Sequence, residues 1–255
     1  TRTNISFMKW NIGCCGFGYK DWKGVFYPDK MAEHKWFNFY SSQFNTVELN
    51  STFYHFPTVP KLLDWYTKSP ENFSFASKVP KLITHFKQME DAEKLLADFY
   101  STCKEGLKEK LGPLLFQFPP KFNYTEKRLQ QLINNLDTTY TNVVEFRHSS
   151  WWNEEVYTQF AKYKIIFCGV SHPLLPDDII VGGSTIYYRF HGVPSLYYSS
   201  YKEDALKAFA DDIFDIPQIK NVNCYFNNTA AHYAINNARF LQEYSNLKEE
   251  KMVAV

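Results

Sequence analysis

The chain has 255 residues, of which 45% are hydrophobic and 18% aromatic, and its formal net charge is +1. That apolar content suffices for a large core and excludes a disordered chain, while near-neutrality with no block of Lys and Arg argues against an extended nucleic-acid-binding face. No apolar run approaches the roughly 20 residues of a membrane helix, and five cysteines without a CxxC or a Cys/His cluster fit a reducing compartment better than a disulfide scaffold or a zinc site.

From the amino end, the opening Thr1-Arg2-Thr3-Asn4-Ile5-Ser6-Phe7 lacks the basic-then-apolar order of a secretory leader, and Met8 reads as a start preceded by seven further residues. The expected location is cytoplasmic and the expected state a monomer. Residues 1–11 are taken as an N-terminal extension, 12–245 as one domain and 246–255 as a C-terminal tail. Short apolar runs bounded by turn residues predict strands at 12–15, 46–49, 73–77, 114–118, 142–146, 165–170, 185–190 and 222–226. Helical spacing fills the intervals at 32–44, 59–68, 89–110, 125–136, 153–163, 202–214 and 231–244. Strand-helix alternation implies right-handed parallel βαβ units, and eight of them in about 250 residues fit a single (β/α)8 TIM-type barrel. The sixth unit is expected to be irregular, because Pro173, Pro176 and Gly182-Gly183 leave little room for a helix. The Gly13–Gly18 stretch lacks the GxGxxG spacing of a dinucleotide fold, and neither a P-loop nor a GxSxG elbow occurs.

Three of the strands end in polar residues one position apart: Glu48 and Asn50, Glu145 and Arg147, Arg189 and His191. Side chains alternate along a strand, so the interleaved Val47, Leu49, Val144, Phe146, Tyr188 and Phe190 face the helices and the polar partners face the barrel interior or its rim. Lys78, Gln117 and Asn227 continue the pattern on other strands. All fall at the carboxyl ends, where such barrels keep their chemistry. Lys78, Arg147 and Arg189 form an anion cradle, since Arg holds a carboxylate or phosphate through paired hydrogen bonds. Glu48 and Glu145 among these cations suit a base or an orienting group, and His191 suits proton transfer. The expected ligand is a small anion, phosphorylated or sugar-containing, bound by Lys78, Arg147, Arg189, Asn50, Gln117 and Asn227. Glu48, Glu145 and His191 are the catalytic candidates for hydrolase or lyase chemistry. They are also chemically able to ligate a divalent cation, but three neighbouring cations would repel it, so no metal and no cofactor is expected.

The aromatic, glycine-rich stretch 16–28 supplies Tyr19 and Trp22, and the second unit supplies Tyr54, as rings that stack on a ligand or simply cover the barrel. Phe122, Trp151 and Trp152 are candidate walls of the same cleft. Two alternatives stand beside the small-anion reading. One is a nucleic-acid-binding or endonuclease-like barrel, less favoured by the near-neutral charge; the other is a non-catalytic protein whose polar strand ends form a structural ion network.

The runs Ile12-Gly13-Cys14-Cys15-Gly16-Phe17-Gly18-Tyr19-Lys20-Asp21-Trp22, Phe44-Asn45-Thr46-Val47-Glu48-Leu49-Asn50-Ser51-Thr52-Phe53-Tyr54, Leu111-Gly112-Pro113-Leu114-Leu115-Phe116-Gln117-Phe118-Pro119-Pro120, Val144-Glu145-Phe146-Arg147-His148-Ser149-Ser150-Trp151 and Tyr188-Arg189-Phe190-His191-Gly192 resemble the DUF72 (YecE-like) proteins. The resemblance extends over most of the chain and implies a TIM-type barrel without an established reaction. Such proteins have been likened to barrel endonucleases with a metal-lined cleft. This chain departs from that pattern in lacking many His and Asp ligands at its strand ends. Where family members often carry Thr-Ser-Gly-Trp after the first strand, it has Cys14-Cys15-Gly16-Phe17, which keeps the glycine but removes hydroxyls and an indole.

Overall fold

The computed structural model describes residues 8–253. Its strands are β1 (Lys9–Cys14), β2 (Thr46–Leu49), β3 (Ser74–Lys78), β4 (Leu111–Gln117), β5 (Asn142–Glu145), β6 (Ile166–Phe167), β7 (Gly169–Ser171), β8 (Thr185–Phe190) and β9 (Asn221–Phe226). All pairings are parallel, in two arcs of order β2-β3-β4-β5-β6 and β1-β9-β8-β7. β6 and β7 are the two parts of the sixth strand: Cys168 between them donates its backbone N–H to Val144 O on the β5 side, and β7 then pairs with β8. On the other side a single bridge, Cys15 to Glu48, joins β1 to β2, with Gly16 N–H donating to Glu48 O. The strand order is that of an eight-stranded (β/α)8 TIM-type barrel.

Helices α1 (Trp36–Gln43), α2 (Ser51–Tyr54), α3 (Val59–Lys68), α4 (Glu93–Leu107), α5 (Glu126–Asn135), α6 (Glu154–Lys162), α7 (Glu203–Phe214) and α8 (Tyr233–Val253) cover the outside. Local chemistry fixes several starts. The Thr125 hydroxyl accepts from Arg128 N–H and the Asn153 carboxamide from Val156 N–H, capping α5 and α6. Between β7 and β8 no helix forms, in keeping with the prolines and glycines of that segment.

Two domain limits change. β1 begins at Lys9 and α8 runs on to Val253, so residues 9–11 and 246–253 belong to barrel elements rather than to an extension and a tail; residues 1–7, the rest of the expected extension, lie outside the described residues. The short α2 and a π-helical turn at Leu82–Phe86 were not expected, because neither is long enough to show a helical period.

The apolar residues separate by face. Outward side chains such as Val47, Leu49, Val144, Phe146 and Phe190 join the helices in the large core. A second cluster of Cys15, Ala76, Leu115, Val143, Cys168, Val170, Tyr187 and Tyr225 fills the barrel interior. Below it the Asn11 carboxamide donates to Asn223 Oδ1 at 3.0 Å. Above it, at the carboxyl ends, lie the polar residues.

Candidate functional site

Five polar residues at the mouth sit two positions beyond an interior apolar residue of their strand: Lys78 beyond Ala76, Gln117 beyond Leu115, Glu145 beyond Val143, Arg189 beyond Tyr187 and, just past the end of β9, Asn227 beyond Tyr225. Strand alternation therefore delivers them to one layer. Parallel register sets their heights, with Gln117 beside Glu145 and Arg189 beside Tyr225.

At the centre is a largely buried ion network. Arg189 donates from Nη1 to Glu145 Oε2 at 2.5 Å and from Nη2 to Glu48 Oε1 at 2.7 Å. The second oxygen of Glu48 accepts from the Tyr187 hydroxyl at 2.7 Å. Arg147 donates from Nε to Glu145 Oε1 at 2.5 Å. His191 Nε2 lies 3.2 Å from both Glu145 Oε1 and Arg147 Nη2, and its Nδ1 lies 2.9 Å from the Asn227 amide nitrogen. Glu48, Glu145, Arg189 and His191 are closed to solvent, whereas Arg147 is partly open.

The charges follow from these contacts. Burial alone would raise the Glu145 carboxyl, but the Arg147 and Arg189 guanidiniums outweigh it and hold the group well below the ordinary carboxylate range. Burial, reinforced by Arg147, pushes His191 well below its ordinary value, so its ring is neutral at pH 7. Two carboxylates thus match two guanidiniums. Lys78 is left as the unmatched cation: its side chain is 9% exposed, its ammonium lies 4.0 Å above the Phe53 ring, and it has no hydrogen-bond acceptor among the described residues. Burial first, and then Arg189, lower it to about 8.

The other expected ligand-binding residues divide. Asn50 has a buried Oδ1 with no donor among the described residues, and Gln117 uses its amide N–H on Phe118 O at 2.7 Å, which leaves its oxygen free to accept. Tyr19 is half-buried and its hydroxyl donates to Cys15 O. Trp22 does not reach the mouth: it is fully buried, packed on Tyr19, Phe26 and Tyr27, and its indole donates to Ala231 O at 3.0 Å. The ring covers and ties down the first loop. Phe122 and Trp151 are likewise buried, in a stack with Phe118 and Phe146. Tyr54 is 62% exposed and forms an outer wall, with Lys81 lying 5.5 Å from its ring and 5.8 Å from that of Phe86.

Two histidines near the layer were missed. His85 stands on the π-helical turn against Phe53, at 5.0 Å between rings, and burial with the Lys78 charge lowers it to about 4. His172 follows β7 and its ring lies 5.8 Å from that of His191. Continuing the sixth strand's alternation two residues past Val170 would have found His172; a π-helical turn has no comparable sequence mark. The oxygens of Glu48 accept from Arg189 and Tyr187 and those of Glu145 from Arg147 and Arg189, and no group of three His, Cys, Asp or Glu residues suited to holding a metal occurs among the described residues.

Comparison with known proteins places this geometry among relatives. A family profile described as "Protein of unknown function DUF72" matches residues 11–254. The UPF0759 protein YunF of Bacillus subtilis (strain 168) is 30% identical over 155 residues, 58% of this chain and 54% of its own length. The UPF0759 protein YecE of Escherichia coli (strain K12) is 28% identical over 44% of this chain and 42% of its own length. The chain thus spans about half the length of the curated relatives it matches. Among solved structures, a DUF72 family protein from Thermotoga maritima superposes with a TM-score of 0.83 at 28% identity, covering 92% of this chain and 98% of that one. A DUF72 family protein from Enterococcus faecalis gives a TM-score of 0.80 at 19% identity over 93% and 95%.

Proposed function

The chain belongs to the DUF72 family, and from that premise we propose that it is an enzyme-like barrel binding a small anion at the carboxyl-end mouth. Arg147 is the principal anion partner, Lys78 the second cation, and Asn50, Gln117 and Asn227 supply polar contacts around them. The observation that carries the reading is the charge balance of the buried layer: Glu48 and Glu145 are matched by Arg189 and Arg147, which leaves the Lys78 ammonium without a counter-ion among the described residues. A cation so largely enclosed, with only a little contact with solvent, gains from pairing with an anion.

Within this reading the catalytic candidates take different parts. Glu48 and Glu145 are saturated by their partners and position Arg189, Arg147 and His191. The neutral His191 ring, beside the partly open Arg147, is the group for proton transfer in hydrolase or lyase chemistry.

The test is thermal protection at constant ionic strength, with inorganic phosphate or citrate against chloride. Bound anion at a hundredfold excess over Kd adds about 2.7 kcal/mol to stability, and Arg147→Ala is expected to abolish the rise. Equal protection of wild type and variant, or none of either, rejects the reading. A nucleic-acid strand is the second reading, favoured by the exposed Tyr54 and Phe86 rings flanking Lys81. It requires binding of single-stranded oligonucleotide that weakens steeply with salt.

A further inference from the structure

Lys78 differs from the other buried lysine of this barrel. Lys110 is equally enclosed, but its ammonium donates to Tyr66 O at 2.8 Å and to Ser69 O and Ser69 Oγ at 2.9 Å, as a structural lysine should. Lys78 ends β3 at the mouth, its backbone carbonyl is held by the Thr52 hydroxyl at 2.6 Å, and its amine has an aromatic face on one side and no acceptor among the described residues. Its position is fixed, yet its nitrogen is not spent on the fold.

We propose that Lys78 is a covalent nucleophile that condenses with the carbonyl carbon of an anionic oxo compound whose carboxylate or phosphate is held by Arg147. The proposal rests on the anion-site reading above and narrows its substrate class. The unprotonated amine attacks the carbonyl carbon and forms a C–N bond. The proton given up by nitrogen passes to the carbonyl oxygen, and the resulting carbinolamine loses a second proton from nitrogen to the departing hydroxyl. Water leaves and an imine remains, with no oxidant or reductant consumed. The partly open Arg147 side chain is the one member of the ion network that faces arriving ligand.

The free amine is available near neutral pH. Burial first, then Arg189 from β8 and Arg147 beyond β5, lower its pKa to about 8 against the opposing charges of Glu145 from β5 and Glu48 from β2, while the neighbouring His85, itself at about 4, is uncharged near neutral pH. At pH 7 it therefore carries about two- to three-hundredfold more neutral amine than an ordinary exposed lysine.

The experiment treats the full chain with pyruvate or glyoxylate and cyanoborohydride, which reduces an imine to a stable secondary amine, and maps the adduct by peptide mass spectrometry. Lys78 is expected to label at least about tenfold faster than any exposed lysine at pH 7. Inorganic phosphate should slow that labelling, and so should Arg147→Ala, with labelling of the exposed lysines unchanged. If phosphate and pyruvate protect wild type from heat but Lys78 labels no faster than exposed lysines, the imine is overturned and the anion site stands. If neither protection nor selective labelling occurs, both fail. Selective labelling that phosphate and Arg147→Ala leave unaltered overturns the assignment of Arg147 as the anion's partner.

Discussion

Glu145 is the residue on which most of the buried layer depends, because Arg147, Arg189 and His191 all meet its two oxygens. Removing its charge leaves the partly open Arg147 without its carboxylate and the buried Arg189 with Glu48 alone. Glu145→Gln is expected to cost about 3–5 kcal/mol, seen as a lower urea midpoint at an unchanged slope. Lys78 acts in the opposite sense. Its folded pKa of about 8 lies below its unfolded value, so the unfolded chain binds more protons between pH 8 and 10 and stability rises with pH through that window. Below pH 8 the burial penalty is complete, and Lys78→Met should be more stable than wild type there by up to about 3 kcal/mol. The difference should shrink towards pH 10 in paired denaturation curves. At this scale the sequence revealed which residues share the layer, because alternation is a property of the backbone. It did not reveal which charges are already spent: that Glu48 is closed off by Arg189 and Tyr187 depends on side chains about 140 residues away, which no local pattern reports.

Among the elements, β1 and β2 approach each other closely at Gly13. A Cβ on Gly13 would stand 2.2 Å from Thr46 O and 2.8 Å from the Tyr40 hydroxyl, which itself accepts from Cys14 N–H and donates to Thr46 O. Gly13→Ala is therefore expected to force β1 from β2 and destabilise the protein by about 1–3 kcal/mol, seen as a lower melting temperature. The order of strands and the missing sixth helix were legible, since apolar runs, prolines and glycines act locally. The ends of elements were less so. β1 starts on Lys9 and α8 continues through Lys248, Glu249, Glu250 and Lys251, polar residues that carry no apolar period. The fate of Trp22 was also hidden: a ring in a glycine-rich loop reads equally as a platform or a plug, and only its packing on Phe26 and Tyr27 decides for the plug.

Across the whole molecule all five thiols are buried and unpaired, and burial raises each of them, Cys103 to about 12. Native protein is expected to react negligibly with Ellman's reagent near neutral pH and to release five equivalents in denaturant. Early reaction of Cys15 or Cys168 alone would show that the interior opens without global unfolding. Those two cysteines mark the joins between the two arcs of the barrel, and the ion network spans both: Arg189 comes from one arc, Glu48 and Glu145 from the other. The Arg189–Glu48 and Arg189–Glu145 contacts close stretches of 141 and 44 residues, and contacts of such long range form late, after the entropy of ordering the intervening chain has been met. Nascent or partly folded chain would accordingly have strands and helices but not the completed ion network at the mouth. On the proposed anion-binding reading, affinity would double as a quality gauge, registering only those molecules in which the last contacts of the ring have been made.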